Sequence, residues 1–182
     1  MILAIIILTG DTPEVLFPCL LGIKYNTSCK YRIYLGYNGS SSFVKAEIIN
    51  FLAAEFEKDA FVFISYSFYN FSHLNNDIVR RHVDPQTKHL LFCNNDVIVI
   101  DSVIDKMVNV LSANPTRFGT LGCRLLFADK SIQHDGQVIY TSDSGRFRAA
   151  THLNFGLPAD SVRYDEARSV TGNTFALCLT SR

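Results

Sequence analysis

The segment MILAIIILTG opens the sequence with a continuous run of apolar residues that ends at Thr9 and Gly10. Strands that are buried on both faces of a parallel sheet have such continuous runs, whereas half-exposed strands alternate apolar and polar residues. The run is too short to span a bilayer, and it lacks the basic leader and small-residue cleavage site of a signal peptide. We therefore predict a buried parallel strand, and with it an α/β protein.

Strand-like and helix-like segments alternate over the first part of the chain. The predicted strands are 2–8, 31–37, 60–68 and 89–93, and the predicted helices are 14–25, 44–56, 73–83 and 102–113. Further strand-like segments lie at 117–127, 131–140 and 170–180, around a polar, loop-like stretch at 142–168. This order predicts a mostly parallel sheet flanked by helices, in a single domain over residues 1–182.

Composition narrows the range of partners and compartments. The 17 basic residues balance the 17 acidic residues and form no basic run, so we do not expect nucleic acid as a partner. The 5 cysteines are scattered and contain no CxxC pair, which predicts reduced thiols and a cytoplasmic protein. No segment is predicted to span a membrane, while peripheral contact with a membrane surface stays open.

Polar residues follow each of the four predicted parallel strands at its carboxyl end. The clusters are Thr9-Gly10-Asp11, Asn38-Gly39-Ser40, Asn70 to Asn76, and Asn94-Asn95-Asp96. Ligands of open parallel sheets bind beyond the carboxyl ends of the strands. Amide and carboxylate groups resist burial unless something pairs with them, so each cluster either forms a turn or faces a ligand.

Four segments resemble motifs of the family 2 glycosyltransferases, which have the GT-A fold. LLFCNNDVIV (90–99) resembles the family's LLFLNNDVEV, and FYNFSHLNND (68–77) resembles its FNFSxxxN stretch. LLFADKSIQHDGQVI (125–139) resembles LxxxDGxIQHAG, and SVTGNTFALCLTSR (169–182) resembles VTGACLLVRR. The segments occur in the family's order and with similar spacing. The resemblance implies a Rossmann-like GT-A domain that transfers a sugar from a nucleoside-diphosphate sugar.

The resemblance also implies roles for individual residues. Residues 1–100 would bind the nucleotide-sugar, and residues 101–182 would form the acceptor side. Asp96 would meet Mn²⁺ or Mg²⁺ on the diphosphate with Asn94 beside it, because hard cations prefer oxygen ligands. The implied nucleotide-binding residues are Thr9, Gly10, Asp11, Tyr37, Asn38, Gly39, Asn70, Asn76, Asn94 and Asn95.

The chain departs from the family pattern in two places. Tyr37 replaces the aspartate of the usual DNGS segment; a tyrosine can stack on a base but cannot accept hydrogen bonds as a carboxylate does, and Asp11 is a candidate substitute. The sequence ends at Arg182, before the GGFDE and EDVDL segments that supply the acceptor-activating base in inverting members. We therefore expect a C-terminally truncated domain, with His134 or Asp135 as candidate catalytic substitutes.

Each assignment has a simpler alternative. Asn70 and Asn76 fit turns or helix caps, and His134 fits a hydrogen-bonded structural histidine. Our main hypothesis is a metal-assisted, inverting hexosyl- or deoxyhexosyltransferase acting on a glycan or on a lipid- or protein-linked acceptor. One alternative is a nucleotidyltransferase, although ILTGDTPEVL lacks the glycine-rich basic loop expected after the first strand. The other is a catalytically degenerate module that binds sugar nucleotides.

Overall fold

The computed structural model describes residues 2–114, 116–141, 145, 148–164 and 166–182, so part of the predicted loop at 142–168 lies outside the described residues. The helices are α1 (Pro13–Asn26), α2 (Ser42–Glu55), α3 (Phe71–Arg81) and α4 (Val103–Ala113). The strands are β1 (Leu3–Thr9), β2 (Tyr31–Tyr37), β3 (Phe61–Ser65), β4 (His89–Asn94), β5 (Thr120–Gly122), β6 (Leu125–Leu126), β7 (Ile132–His134), β8 (Gln137–Thr141), β9 (Arg148–His152) and β10 (Leu177–Ser181).

The central sheet has the strand order β3-β2-β1-β4-β10-β5. Strands β1 to β4 are parallel, whereas β10 runs antiparallel to both β4 and β5. The register pairs Thr9 with Tyr37 on one side of β1, and Leu8 with Asn94 on the other. The carboxyl ends of β1, β2 and β4 therefore meet at one edge. The predicted fold class, a mostly parallel sheet flanked by helices, is confirmed.

Strand β1 is buried on both faces, as its sequence predicts. Leu3, Ile5 and Ile7 face the larger core with α1, α2 and α4, while Ala4 and Ile6 face α3. Full burial of an Ile or Leu side chain contributes about 1.5–3 kcal/mol relative to exposure. Burial of these side chains therefore stabilises the position of β1, and with it the start of the loop that follows. Among the residues described, no helix has the length and apolar character needed to cross a bilayer.

Several boundaries differ from the prediction. Helix α3 begins at Phe71 rather than at residue 73, because the Asn70 side chain accepts a hydrogen bond from the His73 backbone N–H and caps the helix. Strand β10 begins at Leu177, seven residues later than the predicted start at 170. The predicted loop at 142–168 contains β9, which pairs antiparallel with β8.

Candidate functional site

Asp11 joins the loops that follow β1 and β2. Its carboxylate accepts hydrogen bonds from the Tyr37 hydroxyl and from the backbone N–H groups of Ser40 (2.9 Å) and Ser41 (3.2 Å). The bond from Tyr37, followed by those from the two serines, lowers the pKa of Asp11. Gly39 lies against this arrangement, since a Cβ there would collide with the Asp11 carboxylate and the Tyr37 hydroxyl. The two loops are thus held together around one ionised carboxylate.

Tyr37 belongs to the core rather than to the open edge of the site. Its side chain is 2% exposed, and its ring centroid lies 5.7 Å from that of Phe63. Burial, together with the hydrogen bond to Asp11, raises the pKa of Tyr37 to about 12. In this conformation the buried ring offers no open face on which a base could stack. Asp11 instead brings a carboxylate to the loop after β2, where the family pattern has an aspartate.

Asn95 fixes the end of β4 to the end of β1. Its Nδ2 donates hydrogen bonds to the hydroxyl oxygens of Thr9 (3.1 Å) and Thr12 (3.0 Å). The Asn94 backbone N–H donates to the Ala176 carbonyl at 2.9 Å, which ties the same turn to the segment before β10. These contacts hold the polar turn against β1 and against the segment before β10. They leave the Asn94 side chain and the Asp96 carboxylate as the groups that can meet a ligand.

The Asp96 carboxylate is exposed at the turn after β4. Within the described ranges, no three His, Cys, Asp or Glu side chains come together to hold a metal ion by themselves. Mg²⁺ is commonly bound through one or two carboxylates while waters and substrate phosphates supply its other oxygens. The exposed Asp96 and the neighbouring Asn94 amide therefore fit a hard cation that binds together with a diphosphate.

A pocket of about 150 Å³ lies beside Asp96, between the start of α3 and the ends of β1 and β4. Its walls are formed by Ile6, Leu8, Tyr69, Phe71, Asn75, Phe92, Cys93, Asn94, Asn95, Asp96 and Phe175. The predicted site residues Asn70 and Asn76 are not in this lining: Asn70 caps α3, and Asn76 is exposed on that helix. Asn75, which the sequence analysis did not select, is buried in the pocket wall instead.

His134, the first candidate base, is buried and paired with the half-buried His152. It is 1% exposed, and its Nδ1 lies 3.0 Å from the Nδ1 of His152. The Thr174 backbone N–H donates to its Nε2 at 3.4 Å. Burial, and then the neighbouring His152, lower the pKa of His134. Both ring nitrogens therefore already have partners within the protein.

Asp135, the second candidate base, is held in an ion-pair network. Arg124 donates to both carboxylate oxygens at 3.2 Å, Asn154 Nδ2 donates at 2.7 Å, and Arg168 Nη2 lies 3.4 Å away. Burial alone would raise the pKa of Asp135, but the hydrogen bonds from Arg124 and Asn154 and the two guanidinium charges lower it. A low pKa makes a carboxylate a weak base at neutral pH.

Asp135 lines a separate cleft of about 900 Å³, formed by residues 117–124, 135–136 and 159–173 with gaps.

Solved structures of other proteins have a similar fold. The mannosyltransferase PcManGT from Pyrobaculum calidifontis, solved in complex with GDP-Man and Mn²⁺, matches with a TM-score of 0.57 and 15% identity over 69% of this chain and 35% of that one. S. aureus TarS 1-349 matches with a TM-score of 0.53 and 10% identity over 80% of this chain and 43% of that one. The fold is the GT-A fold.

A further solved structure has a similar fold. The 4-diphosphocytidyl-2C-methyl-D-erythritol synthase from Anaerococcus prevotii matches with a TM-score of 0.50 and 12% identity, over 81% of this chain and 66% of that one. Fold similarity at these identities does not identify the reaction, because one fold supports several activities.

Sequence comparison finds a match to a short part of the chain. No family model matches the chain. The O-antigen biosynthesis protein RfbC of Myxococcus xanthus is 43% identical over 51 residues, which are 28% of this chain and 4% of RfbC. The chain thus spans a small part of RfbC and less than half of PcManGT and TarS.

Proposed function

We propose that this chain forms the nucleotide-sugar-binding part of a metal-assisted glycosyltransferase. The observation that carries the proposal is the exposed Asp96 carboxylate at the end of β4, in a turn that Asn95 fixes to β1. In a GT-A fold this is the edge beyond the carboxyl ends of the parallel strands. The similarity to PcManGT, which was solved with GDP-Man and Mn²⁺, supports the proposal.

The donor nucleotide would lie across the loops after β1 and β2. Asp11, fixed by Tyr37 and the Ser40 and Ser41 backbone, presents an ionised carboxylate that can accept hydrogen bonds from a ribose or a base. Asp96, with Asn94 beside it, would hold Mn²⁺ or Mg²⁺ on the diphosphate. When bound, the cation would neutralise the negative charge that develops on the departing diphosphate.

The acceptor would approach from the 900 Å³ cleft that Asp135 lines. We propose a glycan or a lipid- or protein-linked sugar, whose hydroxyl attacks the anomeric carbon from the face opposite the diphosphate. His134 and Asp135 are better suited to fixing this half of the chain than to accepting the acceptor proton, because each is already held by protein partners. The hydroxyl's proton requires another acceptor.

Calorimetric titration of UDP and GDP, with and without Mn²⁺, tests the proposal. We expect metal-dependent binding by the wild type, weakened by at least about 10-fold in Asp96→Asn, because mutation of even the outer partners of a metal's ligands typically costs about 10- to 100-fold in affinity. Asp59→Asn is the matched control, since Asp59 is an exposed aspartate in the turn before β3, at the opposite edge of the sheet. A folded wild type that binds neither nucleotide, or an Asp96→Asn variant that binds as tightly, would contradict the proposal.

Two other functions predict different products. A glycosyltransferase releases a nucleoside diphosphate from its donor, whereas a nucleotidyltransferase releases pyrophosphate from a nucleoside triphosphate. A degenerate module would bind the sugar nucleotide and release neither. Product analysis after incubation with sugar nucleotides or with triphosphates therefore separates the three.

A further inference from the structure

We propose that His134 and His152 position the turn that carries Asp96, and that one proton added to this histidine pair loosens the turn. The proposal rests on the proposed function and adds to it a pH-dependent control of donor binding at the same site. Two features of the structure carry it: the hydrogen bonds of the two imidazole rings, and the short path from Thr174 to Asn94.

The hydrogen bonds of His134 fix the position of its proton. The Thr174 backbone N–H donates to its Nε2 at 3.4 Å, so that nitrogen carries no proton. A neutral imidazole then has its one proton on the other nitrogen. The Nδ1–H of His134 therefore donates to the Nδ1 of His152, which lies 3.0 Å away, and the proton of neutral His152 lies on its own Nε2.

One further proton breaks a hydrogen bond wherever it is placed. A proton on Nδ1 of His152 faces the Nδ1–H of His134, and two donors 3.0 Å apart repel each other. A proton on Nε2 of His134 faces the Thr174 N–H in the same way. If His152 becomes the donor between the rings, the proton of His134 moves to Nε2, and the bond from Thr174 is lost again. Protonation therefore removes either the bond between the rings or the bond to Thr174.

Thr174 lies two residues before the peptide that holds the Asp96 turn. Its hydroxyl oxygen accepts a hydrogen bond from the Ala176 N–H at 3.2 Å, and the Ala176 carbonyl accepts one from the Asn94 N–H at 2.9 Å. The bond from the Thr174 N–H to His134 fixes the other side of the same short segment. Loss of that bond therefore releases the segment that holds Asn94 and the turn that follows it.

The surroundings of His134 favour its neutral form at pH 7. Burial, and then His152, lower its pKa, whereas the negative charge of Asp135 acts in the opposite direction. Arg124 and Arg168 pair with that carboxylate and offset its charge. The neighbours of the pair on β6, after β9 and before β10 have no ionisable group, and they are Leu125, Phe155 and Thr174. The added proton is therefore taken up below the ordinary histidine pKa of about 6.5.

Amide hydrogen exchange of the ligand-free protein, followed by NMR, tests the effect on the turn. We expect the protection factors of the Thr174 and Asn94 amides to fall by roughly two- to tenfold between about pH 7.5 and about pH 5, the effect of one lost hydrogen bond. The double variant His134→Gln with His152→Asn replaces both rings by amides, which form hydrogen bonds but do not titrate, so its protection factors should stay constant. Constant protection of either amide in the wild type would overturn the proposal.

Calorimetric titration of UDP and GDP with Mn²⁺ at the same two pH values tests the link to donor binding. The dissociation constant of the wild type should rise on acidification by roughly two- to tenfold more than that of the double variant. Protonation of the diphosphate itself affects every variant equally. His82→Gln is the matched control, because His82 is an exposed histidine at the end of α3, and it should respond as the wild type does. Thermal unfolding checks that every variant is folded.

The outcomes for the two proposals differ. A folded double variant whose affinity depends on pH as strongly as that of the wild type would overturn the positioning role and leave the proposed function intact. A folded wild type that binds neither diphosphate would refute the proposed function. The exchange of the Thr174 and Asn94 amides would then still support or overturn the effect of the histidine pair on the turn, because it is measured without ligand.

Discussion

Replacing Asp135 with asparagine tests whether this carboxylate is structural or catalytic. Asp135→Asn keeps the size of the side chain but removes the charge that Arg124 and Arg168 share. Breaking a buried ion pair from one side costs about 3–5 kcal/mol. The two arginine side chains are 24% and 35% exposed, so water screens part of their charge. We therefore expect the free energy of unfolding to fall by about 2–3 kcal/mol.

Thermal unfolding followed by circular dichroism measures this loss. For a chain of this length, each kcal/mol lowers the melting temperature by roughly 2–4 °C, so Asp135→Asn should melt about 4–12 °C below the wild type at pH 7. Asp160→Asn is the control, because Asp160 is an exposed carboxylate in the same cleft. A normal melting temperature combined with lost turnover would refute our reasoning and restore Asp135 as the candidate base.

The same variant has a defined pH dependence. The pKa of Asp135 is lowered in the folded protein, so its ionised form stabilises the fold at any pH above the unfolded value of about 3.9. This contribution is lost as the pH falls through the folded pKa. The difference in stability between wild type and Asp135→Asn should therefore be constant from pH 7 to pH 5 and should shrink below about pH 4. A difference that stays constant down to pH 2 would contradict the ion-pair explanation.

Three further predictions address the fold, the loop after β2 and the histidine pair. Leu91→Ala, in the fully buried centre of β4, should lower the free energy of unfolding in urea by about 2–5 kcal/mol. Gly39→Ala should weaken nucleotide binding in calorimetry with the far-ultraviolet spectrum retained, because the added methyl group collides with the Asp11 carboxylate. The lowered pKa of His134 means that the unfolded chain takes up this proton first, so stability should fall as the pH drops below about 6.5, and His134→Gln should reduce that slope in melts between pH 7 and pH 5.

The parallel half of the fold could be predicted from sequence because its signals are local. A continuous apolar run such as residues 3–8 has few uses other than a strand buried on both faces. The same pattern predicts where β1, β2 and β4 end, because polar residues follow directly after each apolar run. The position of β10 could not be predicted in this way. Its insertion between β4 and β5 depends on pairing between segments far apart in sequence, which no local pattern specifies.

Local patterns in the sequence also place some of the site residues, but not all of them. Tyr37 lies on the same face of β2 as Ile33 and Leu35, so the period of two already places its ring in the core. Helical spacing likewise puts Asn75 on the face of Phe71 and Ile78, whereas Asn76 shares the outer face with His73. Local periodicity thus separates the inward from the outward positions of β2 and α3. The partners of Asp135 come from several separate loops, so only the folded chain reveals them.

The antiparallel β10 has a consequence for synthesis on the ribosome. Until Leu177–Ser181 has emerged, the outer side of β4 has no neighbour, and its unpaired N–H and C=O groups can join another nascent chain. The turn that carries Asp96 is also incomplete until then, since the Asn94 N–H bonds to the Ala176 carbonyl. Completion of the sheet is therefore a non-local step, which follows the synthesis of Leu177–Ser181.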